Sequence, residues 1–269
     1  METYRKLESL KQYFADLGSV AVAFSGGADS TFMLQVAHEV LKDKVVAFTA
    51  DSAFFPQREL KQAKQFCAEK GIEHIVFSFE ELKVKGLKNN PENRCYLCKY
   101  ALLSEMKKIT EERGIKYLAE GSNADDENDY RPGLRAVAEL EIKSPLREVK
   151  LTKREIRDLS KEMGLPTWNK PSFACLASRF VYGEMITPEK LKMIDRAEQL
   201  LLDLGFHQVR VRMHGTMARI EILPDEFNRI VQSDIRQKIT DGLLEYGFSY
   251  VTLDLKGYRA GSMNESVLK

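Results

Sequence analysis

Four cysteines and one glycine-rich hexapeptide are the residues of this chain best suited to chemistry. Cys95 and Cys98 form a Cys-x-x-Cys in NRCYLCKY, Cys175 lies in PSFACLASRF, and Cys67 sits in KQFCAEKG. A thiolate is both a nucleophile and a soft metal ligand. The Cys95–Cys98 spacing suits a redox pair, half of a zinc site, or an iron–sulfur site with Cys175 as a further ligand. The bland alternative is two small buried residues on one helix turn. No second Cys-x-x-Cys and no paired histidine completes a zinc site, since His38, His74, His207 and His214 are scattered and read as ordinary surface or core residues. Three thiolates on a cubane cluster leave one iron open to bind and deliver an extra sulfide, which favours the iron–sulfur reading. Cys67 reads as structural; as a fourth ligand it would close that open iron.

The hexapeptide SGGADS spans Ser25–Ser30. Gly26 and Gly27 let the backbone approach an anion and adopt positive φ. Ser25 and Ser30 offer hydroxyls, and a following helix would present unpaired N–H groups and the positive end of its dipole. These are the parts of a phosphate cradle. The chain has no Gly-x-x-x-x-Gly-Lys-Ser/Thr, so γ-phosphate transfer of that type is disfavoured. A glycine-rich turn without a ligand is the competing reading.

Alternating elements must position these groups. Residues 3–17 carry a helical apolar spacing that ends at Gly18. SVAVAF, KVVAFTADS and EHIVFSF read as strands, and IKYLAEGSNADD as a fourth strand running into a polar loop. Helices are expected after SGGADS, from Pro56 to Lys70, from Tyr96 to Arg113, and from near Thr152, where Glu155 completes a capping box. SPLREVK reads as a strand-like lead into that last helix. The pattern predicts an α/β fold with a parallel sheet covered on both faces. Such sheets bind ligands at the carboxyl ends of their strands, where SGGADS, TADS and GSNADD all fall. Pro166–Gly183 reads as an irregular functional loop. Beyond about residue 187 the character changes to α+β: a helix over 187–204, a hairpin turning at His214–Gly215, two short helices and the strand SYVTLDL. The expected domains are therefore 1–185 and a smaller α+β domain, 186–269, serving substrate binding or oligomerisation.

Composition narrows the classes. Among 269 residues, 41 basic and 40 acidic side chains nearly cancel, which gives no reason to expect a stable nucleic-acid complex. No apolar run is long enough to span a bilayer and the first residues lack a signal-peptide core, so a cytoplasmic location without membrane partners is expected. In a reducing compartment the cysteines are not expected to form disulfides.

SGGADS resembles the PP-loop, the SGGxDS signature of ATP pyrophosphatases with an adenine nucleotide alpha hydrolase-like fold. That resemblance, supported by TADS and PLREVKLTKREIRDLSKEMGLP, covers roughly residues 15–170. It implies that the loop grips pyrophosphate while ATP is cleaved between its α and β phosphates, that Asp29 helps hold Mg²⁺, and that Asp51 and Ser52 belong to the adenine-reading segment. The sheet's ligand end is then claimed by nucleotide, which removes the thioredoxin-like context a redox pair would need. NPENRCYLCK, GSNADDENDYRPG, KPSFACLASRFVYGE and GYRAGSMNE together resemble the LarE family, along essentially the whole chain. Its members are ATP-dependent sulfur transferases of nickel-pincer cofactor synthesis. They turn the carboxylates of pyridinium-3,5-biscarboxylic acid mononucleotide, a small-molecule nucleotide substrate, into thiocarboxylates through acyl-adenylates. In one type a single cysteine, matching Cys175, gives up its own sulfur. In the other, three cysteines hold a 4Fe–4S cluster with exchangeable sulfide; Cys95, Cys98 and Cys175 match that type, which needs a sulfide donor.

Lys99 would contact phosphates or developing negative charge, against a solvated helix lysine. Gly121, Asn123 and Asp125 would line the nucleotide or carboxylate site, against a polar turn. Arg179 would face an anionic substrate. Arg210 and Arg212 share one strand face, and the resemblance makes them phosphate ligands, against an ordinary exposed face. Glu221 would bind a metal or pair with these arginines. Asp126, Glu127 and Asp129 read as a solvated acidic loop, and Trp168 and Phe173 as loop anchors. A homo-oligomer is expected. Three other functions stay open: a tRNA thiolase, which needs a positive surface; an amide-forming synthetase, which needs no cysteine; and a non-enzymatic ATP sensor.

Overall fold

The computed structural model describes residues 1–128, 132–171, 175–259 and 261–264. Residues 129–131 of the GSNADDENDYRPG segment, 172–174 of KPSFACLASRFVYGE, and Ala260 and Glu265 of GYRAGSMNE lie outside the described residues, so the expectations for Asp129 and Phe173 do too. The chain divides into two compact units. The first comprises Met1–Glu80 and Asn93–Phe173, the second Glu81–Glu92 and Ala174–Lys269.

The first unit is built on four parallel strands, β1 (Val20–Ala23), β2 (Val45–Asp51), β3 (Glu73–Ser78) and β4 (Leu118–Ala119), in the order β3-β2-β1-β4. Parallel neighbours need crossovers, and the helices supply them. After α1 (Glu2–Leu17) come α2 (Ala28–Leu41), α3 (Gln57–Lys70) and α4 (Arg94–Glu112), each between two consecutive strands. The remaining helices of this unit are α5 (Gly133–Glu139), α6 (Pro145–Glu148) and α7 (Lys153–Glu162).

At the centre of the sheet both faces are buried, which is why β1 and the start of β2 are apolar throughout rather than alternating, while β3 at the edge is half-buried. Val20 and Val22 pack with Phe14, Phe32, Val36, Ile156 and Leu159. Ala21 points the other way, toward Phe48, Leu103, Met106 and Val137. The capping box is present: Glu155 N–H donates to Thr152 Oγ1, and Thr152 N–H donates to Glu155 Oε2. Gly71 closes α3 in the left-handed conformation at φ 66°.

One local expectation is corrected. SPLREVK is not strand-like beyond Lys143, which makes a single bridge to Ala119. Pro145 stands at the first turn of α6, where its missing N–H costs no hydrogen bond, and the chain turns helical.

In the second unit, α8 (Pro188–Asp203) and α10 (Ser233–Glu245) accompany a three-stranded sheet, with α9 (Phe227–Ile230) between its strands in sequence. The hairpin of β5 (Arg210–His214) and β6 (Met217–Glu221) turns through Gly215 at φ 61°, and β7 (Tyr250–Leu253) pairs parallel to β6. The 81–92 segment joins this unit through Asn90. Its Nδ2 donates to Val181 O at 2.6 Å, and Gly183 N–H donates to its carbonyl at 3.0 Å. Among the described residues no helix is long and apolar enough to cross a membrane.

Candidate functional site

In the first unit β1 lies between β2 on one side and β4 on the other. The chain's direction of travel across the sheet reverses between β1 and β4, leaving a crevice beyond their carboxyl ends. Ser25–Gly27 follow β1 and Gly121 follows β4, so both belong to that crevice. Gly27 is the N-cap of α2, and no side chain caps the helix. The amides of its first turn are therefore not taken by a side-chain cap, the arrangement that suits an anion. Ser25 Oγ and Ser30 Oγ lie 3.1 Å apart, and Ser30 Oγ donates to Gly27 O at 3.2 Å. Asp29 stands in the first turn of α2, where its charge complements the dipole.

Two glycines are constrained here, Gly26 by its positive φ and Gly121 by space. Gly26 has φ 72° and lies on α3, where a Cβ would meet Ala63 Cβ and Glu59 O at 3.5 Å. A Cβ on Gly121 would meet Ser30 N at 3.3 Å, so the segment after β4 packs directly on the start of α2.

Beside the loop is a mostly apolar cleft lined by Phe24, Thr49, Ala50, Phe55, Leu60 and Met106. One wall is fixed by a hydrogen-bond relay. Thr49 Oγ1 donates to Phe24 O at 2.6 Å and so accepts from His74 Nε2 at 2.8 Å, which sets the Nε2–H tautomer. Burial, reinforced by the Lys64 charge, pushes the His74 pKa down and keeps the ring neutral. Asp51 ends β2 exposed and accepts from Gln57 Nε2 at 3.1 Å. Ser52 is buried and shapes the next turn, with its Oγ accepting from Phe54 N–H at 3.1 Å.

Cys95 and Cys98 stand three apart near the start of α4, so they share a helix face. Cys95 is exposed and Cys98 half-buried. Lys99 is held by Glu120, whose Oε2 accepts from Lys99 Nζ at 2.9 Å. Ser122 Oγ and Ser144 Oγ also donate to Glu120, at 2.8 and 2.7 Å. Burial alone would raise the Glu120 pKa, but Lys99 and these hydroxyls outweigh it and hold the group ionised. Gly133 leaves room for this lysine, since a Cβ there would come within 2.9 Å of Lys99 Cδ. Asp125 takes a capping role at the start of α7, its Oδ2 accepting from Lys153 N–H at 2.7 Å. Asp126, expected in a solvated loop, is instead buried, accepting from Asn123 N–H and pairing with Lys153.

The second unit carries the remaining candidates. Cys175 is half-buried and precedes a 3₁₀ turn, Leu176–Arg179. Its carbonyl accepts from Arg179 Nη1 at 3.1 Å. Arg179 and Glu198 are both 0% exposed and meet in a two-pronged pair at 2.8 and 2.9 Å. Arg210 is buried, donates to Val209 O and lies over the Tyr258 ring; burial and the neighbouring Arg179 charge push its pKa down to about 10. Arg212 donates to Ser178 O, Glu221 Oε2 and Ser262 Oγ. Glu221 thus pairs with Arg212 and also with Arg219, at 2.9 and 3.1 Å.

Of the four thiols, Cys67 is set apart. It is 1% exposed, and burial pushes its thiol up to about 12. A protonated, enclosed thiol is neither ligand nor nucleophile. Within each unit, among the described residues, no three His, Cys, Asp or Glu side chains gather as a metal-holding group. The three accessible thiols are by chemical type the donors an iron–sulfur cluster takes.

Sequence reading missed Glu59, Lys170, Glu120, Glu198 and the Thr49–His74 relay. Lys170 opens KPSFACLASRFVYGE and Thr49 opens TADS, but those segments give no sign of their partners, since each contact joins residues distant in the chain.

A family model described as a PP-loop domain matches residues 2–136. An uncharacterised protein of Synechocystis sp. is 42% identical over 98% of this chain and 98% of its own. The pyridinium-3,5-bisthiocarboxylic acid mononucleotide synthase of Lactiplantibacillus plantarum is 37% identical over 98% of this chain and 95% of its own. The chain belongs to the LarE family of PP-loop enzymes. Similarity also extends to a component of the glutamine-hydrolysing GMP synthase of Thermoplasma acidophilum, 27% identical over 76% of this chain and 70% of that one. That match is shorter and weaker. As a LarE-family enzyme, this protein is an ATP-dependent, adenylating sulfur transferase. The loop at Ser25–Ser30 and the apolar cleft beside it are the parts of the first unit suited to a triphosphate and a base.

Proposed function

We propose that this enzyme adenylates the carboxylates of pyridinium-3,5-biscarboxylic acid mononucleotide and replaces each activated oxygen by sulfur. The observation that carries this reading is near full-length similarity to a synthase whose name specifies the bisthiocarboxylic product. Ser25, Gly26, Gly27, Asp29 and Ser30 would hold the triphosphate with Mg²⁺, Asp51 and Ser52 would border the adenine, and Gly121 and Asp125 would shape the crevice. A carboxylate oxygen attacks the α-phosphorus of ATP, and pyrophosphate leaves. The acyl carbon then accepts a sulfur nucleophile and releases AMP. Lys99, aimed by Glu120, would steady the negative charge of that step. Arg210 and Arg212 would take the substrate phosphate. Arg179, already bound to Glu198, acts through the Cys175 carbonyl and so orients that thiol rather than the substrate.

In this reading Cys95, Cys98 and Cys175 are the ligands of a 4Fe–4S cluster, which would supply exchangeable sulfide replenished by a sulfide donor. Support comes from their accessibility, in contrast to Cys67. The test is anaerobic reconstitution followed by iron and acid-labile sulfide analysis and a turnover assay with ATP and the pyridinium substrate. About four irons per chain, dependence on all three cysteines and several turnovers with added sulfide are expected. Absence of iron, with loss of one sulfur mass at Cys175 after a single turnover, would refute the cluster and indicate sacrifice of the cysteine.

A further inference from the structure

We propose that Lys170 is a positioning residue for the phosphate loop: its ammonium holds the Gly26 carbonyl and thereby aims the Gly27 N–H at the departing pyrophosphate. The inference rests on the adenylating activity and assigns a function to Lys170, which opens the segment KPSFACLASRFVYGE but has no role read from it.

Lys170 Nζ has three hydrogens and three acceptors. It donates to Gly26 O at 2.9 Å and Gln62 Oε1 at 2.7 Å, and pairs with Glu59 Oε2 at 2.6 Å. The side chain is 11% exposed and that of Glu59 10%. Few lysines are so enclosed, because burying an ammonium is unfavourable unless its hydrogens are all satisfied. Its root is held as well. Arg157 donates to the carbonyls of Trp168 and Lys170, at 2.8 and 2.7 Å, and Lys161 lies over the Trp168 ring.

The consequence for the loop follows from peptide geometry. The Gly26–Gly27 peptide is trans. In a planar trans peptide the carbonyl and the next N–H point in opposite directions. Lys170 draws the Gly26 carbonyl to one side, so the Gly27 N–H is turned to the other. Among the described residues its only hydrogen-bond neighbour there is Ser25 Oγ at 3.4 Å, a long contact that an anionic oxygen would displace. Gly26 can take either sign of φ, so without a clasp this peptide is free to flip. Lys170 also neutralises Glu59, which lines the nucleotide cleft and would otherwise repel a triphosphate.

The two effects separate experimentally. Lys170→Met removes both the clasp and the charge, Glu59→Gln removes the carboxylate alone, and the double variant lacks the clasp but has no charge imbalance. The probes are Mg²⁺–pyrophosphate and adenosine, each by calorimetry. The readout in turnover is pyrophosphate release at saturating ATP. Lys170→Met should bind pyrophosphate at least tenfold more weakly and release it at least tenfold more slowly, with adenosine affinity within twofold of the parent. Measured against Glu59→Gln, the double variant should remain at least tenfold impaired, and Lys170→Arg should recover most of the rate. Lys170→Gln serves the same comparison where Lys170→Met does not fold. Equal weakening of pyrophosphate and adenosine, no weakening of either, or full recovery in the double variant would overturn the proposal. A parent enzyme that binds pyrophosphate but leaves the pyridinium substrate untouched would instead refute the substrate reading and leave this comparison intact.

Discussion

Replacing Glu198 by alanine should strongly destabilise the second unit of this protein. The carboxylate accepts two charge-assisted bonds from Arg179, at 2.8 and 2.9 Å, and a third from Val211 N–H at 3.1 Å. Alanine leaves a guanidinium that is 0% exposed without its counter-charge, together with an unmet strand amide. Breaking such a pair from one side costs about 3–5 kcal/mol. With a urea slope of about 2 kcal/mol/M, the unfolding midpoint of this unit should fall by roughly 2 M. The enzyme's one tryptophan, Trp168, belongs to the other unit and would report there. Hydrogen exchange across residues 209–221 in rising urea is the suitable measurement. Removing both partners, as Arg179→Met with Glu198→Leu, should cost much less than Glu198→Ala, because no charge is then stranded. Burial alone would raise the Glu198 pKa, but Arg179 outweighs it and the net shift is downward. A depressed acid stabilises the fold above its unfolded pKa of about 4.3, and this stabilisation is lost as pH falls through the folded value. Glu198→Gln should therefore flatten the acid limb of the stability curve. A loss below about 1 kcal/mol in Glu198→Ala, or a double variant worse than both singles, would refute the electrostatic reasoning.

Two further outcomes follow from the site. Alkylation of the native cluster-free protein by iodoacetamide near pH 8, mapped by mass spectrometry, should modify Cys95, Cys98 and Cys175 while sparing Cys67, whose thiol is enclosed and titrates at about 12; rapid modification of Cys67 would contradict its burial. Gly121→Ala should weaken ATP binding by about tenfold, or roughly 1.4 kcal/mol, because its methyl group would press on Ser30 N at 3.3 Å; unchanged affinity by calorimetry would show that the start of α2 yields without cost.

Local order was legible in the chain wherever one segment could satisfy itself. Apolar Val20–Ala23 followed by two glycines predicts a strand, a tight turn and an anion-seeking helix start, and these form in succession. The Thr152–Glu155 box needs only four consecutive residues, and it too is present. SPLREVK misled because its apolar spacing fits a strand as well as a short helix, and proline's place in the first turn decides between them.

Residue types and their order were enough to specify the chemistry on offer: a phosphate-binding loop, accessible thiols, and enough family pattern to say that ATP and sulfur meet in one enzyme. Which charged groups hold the others in place was settled only by folding. Arg179 became a partner of Glu198, Asp125 a helix cap, and Lys170 a clasp on Gly26, 144 positions away. A buried ion takes its partner from whichever element packs against it, and the burial that makes such a pairing necessary is a property of the folded chain.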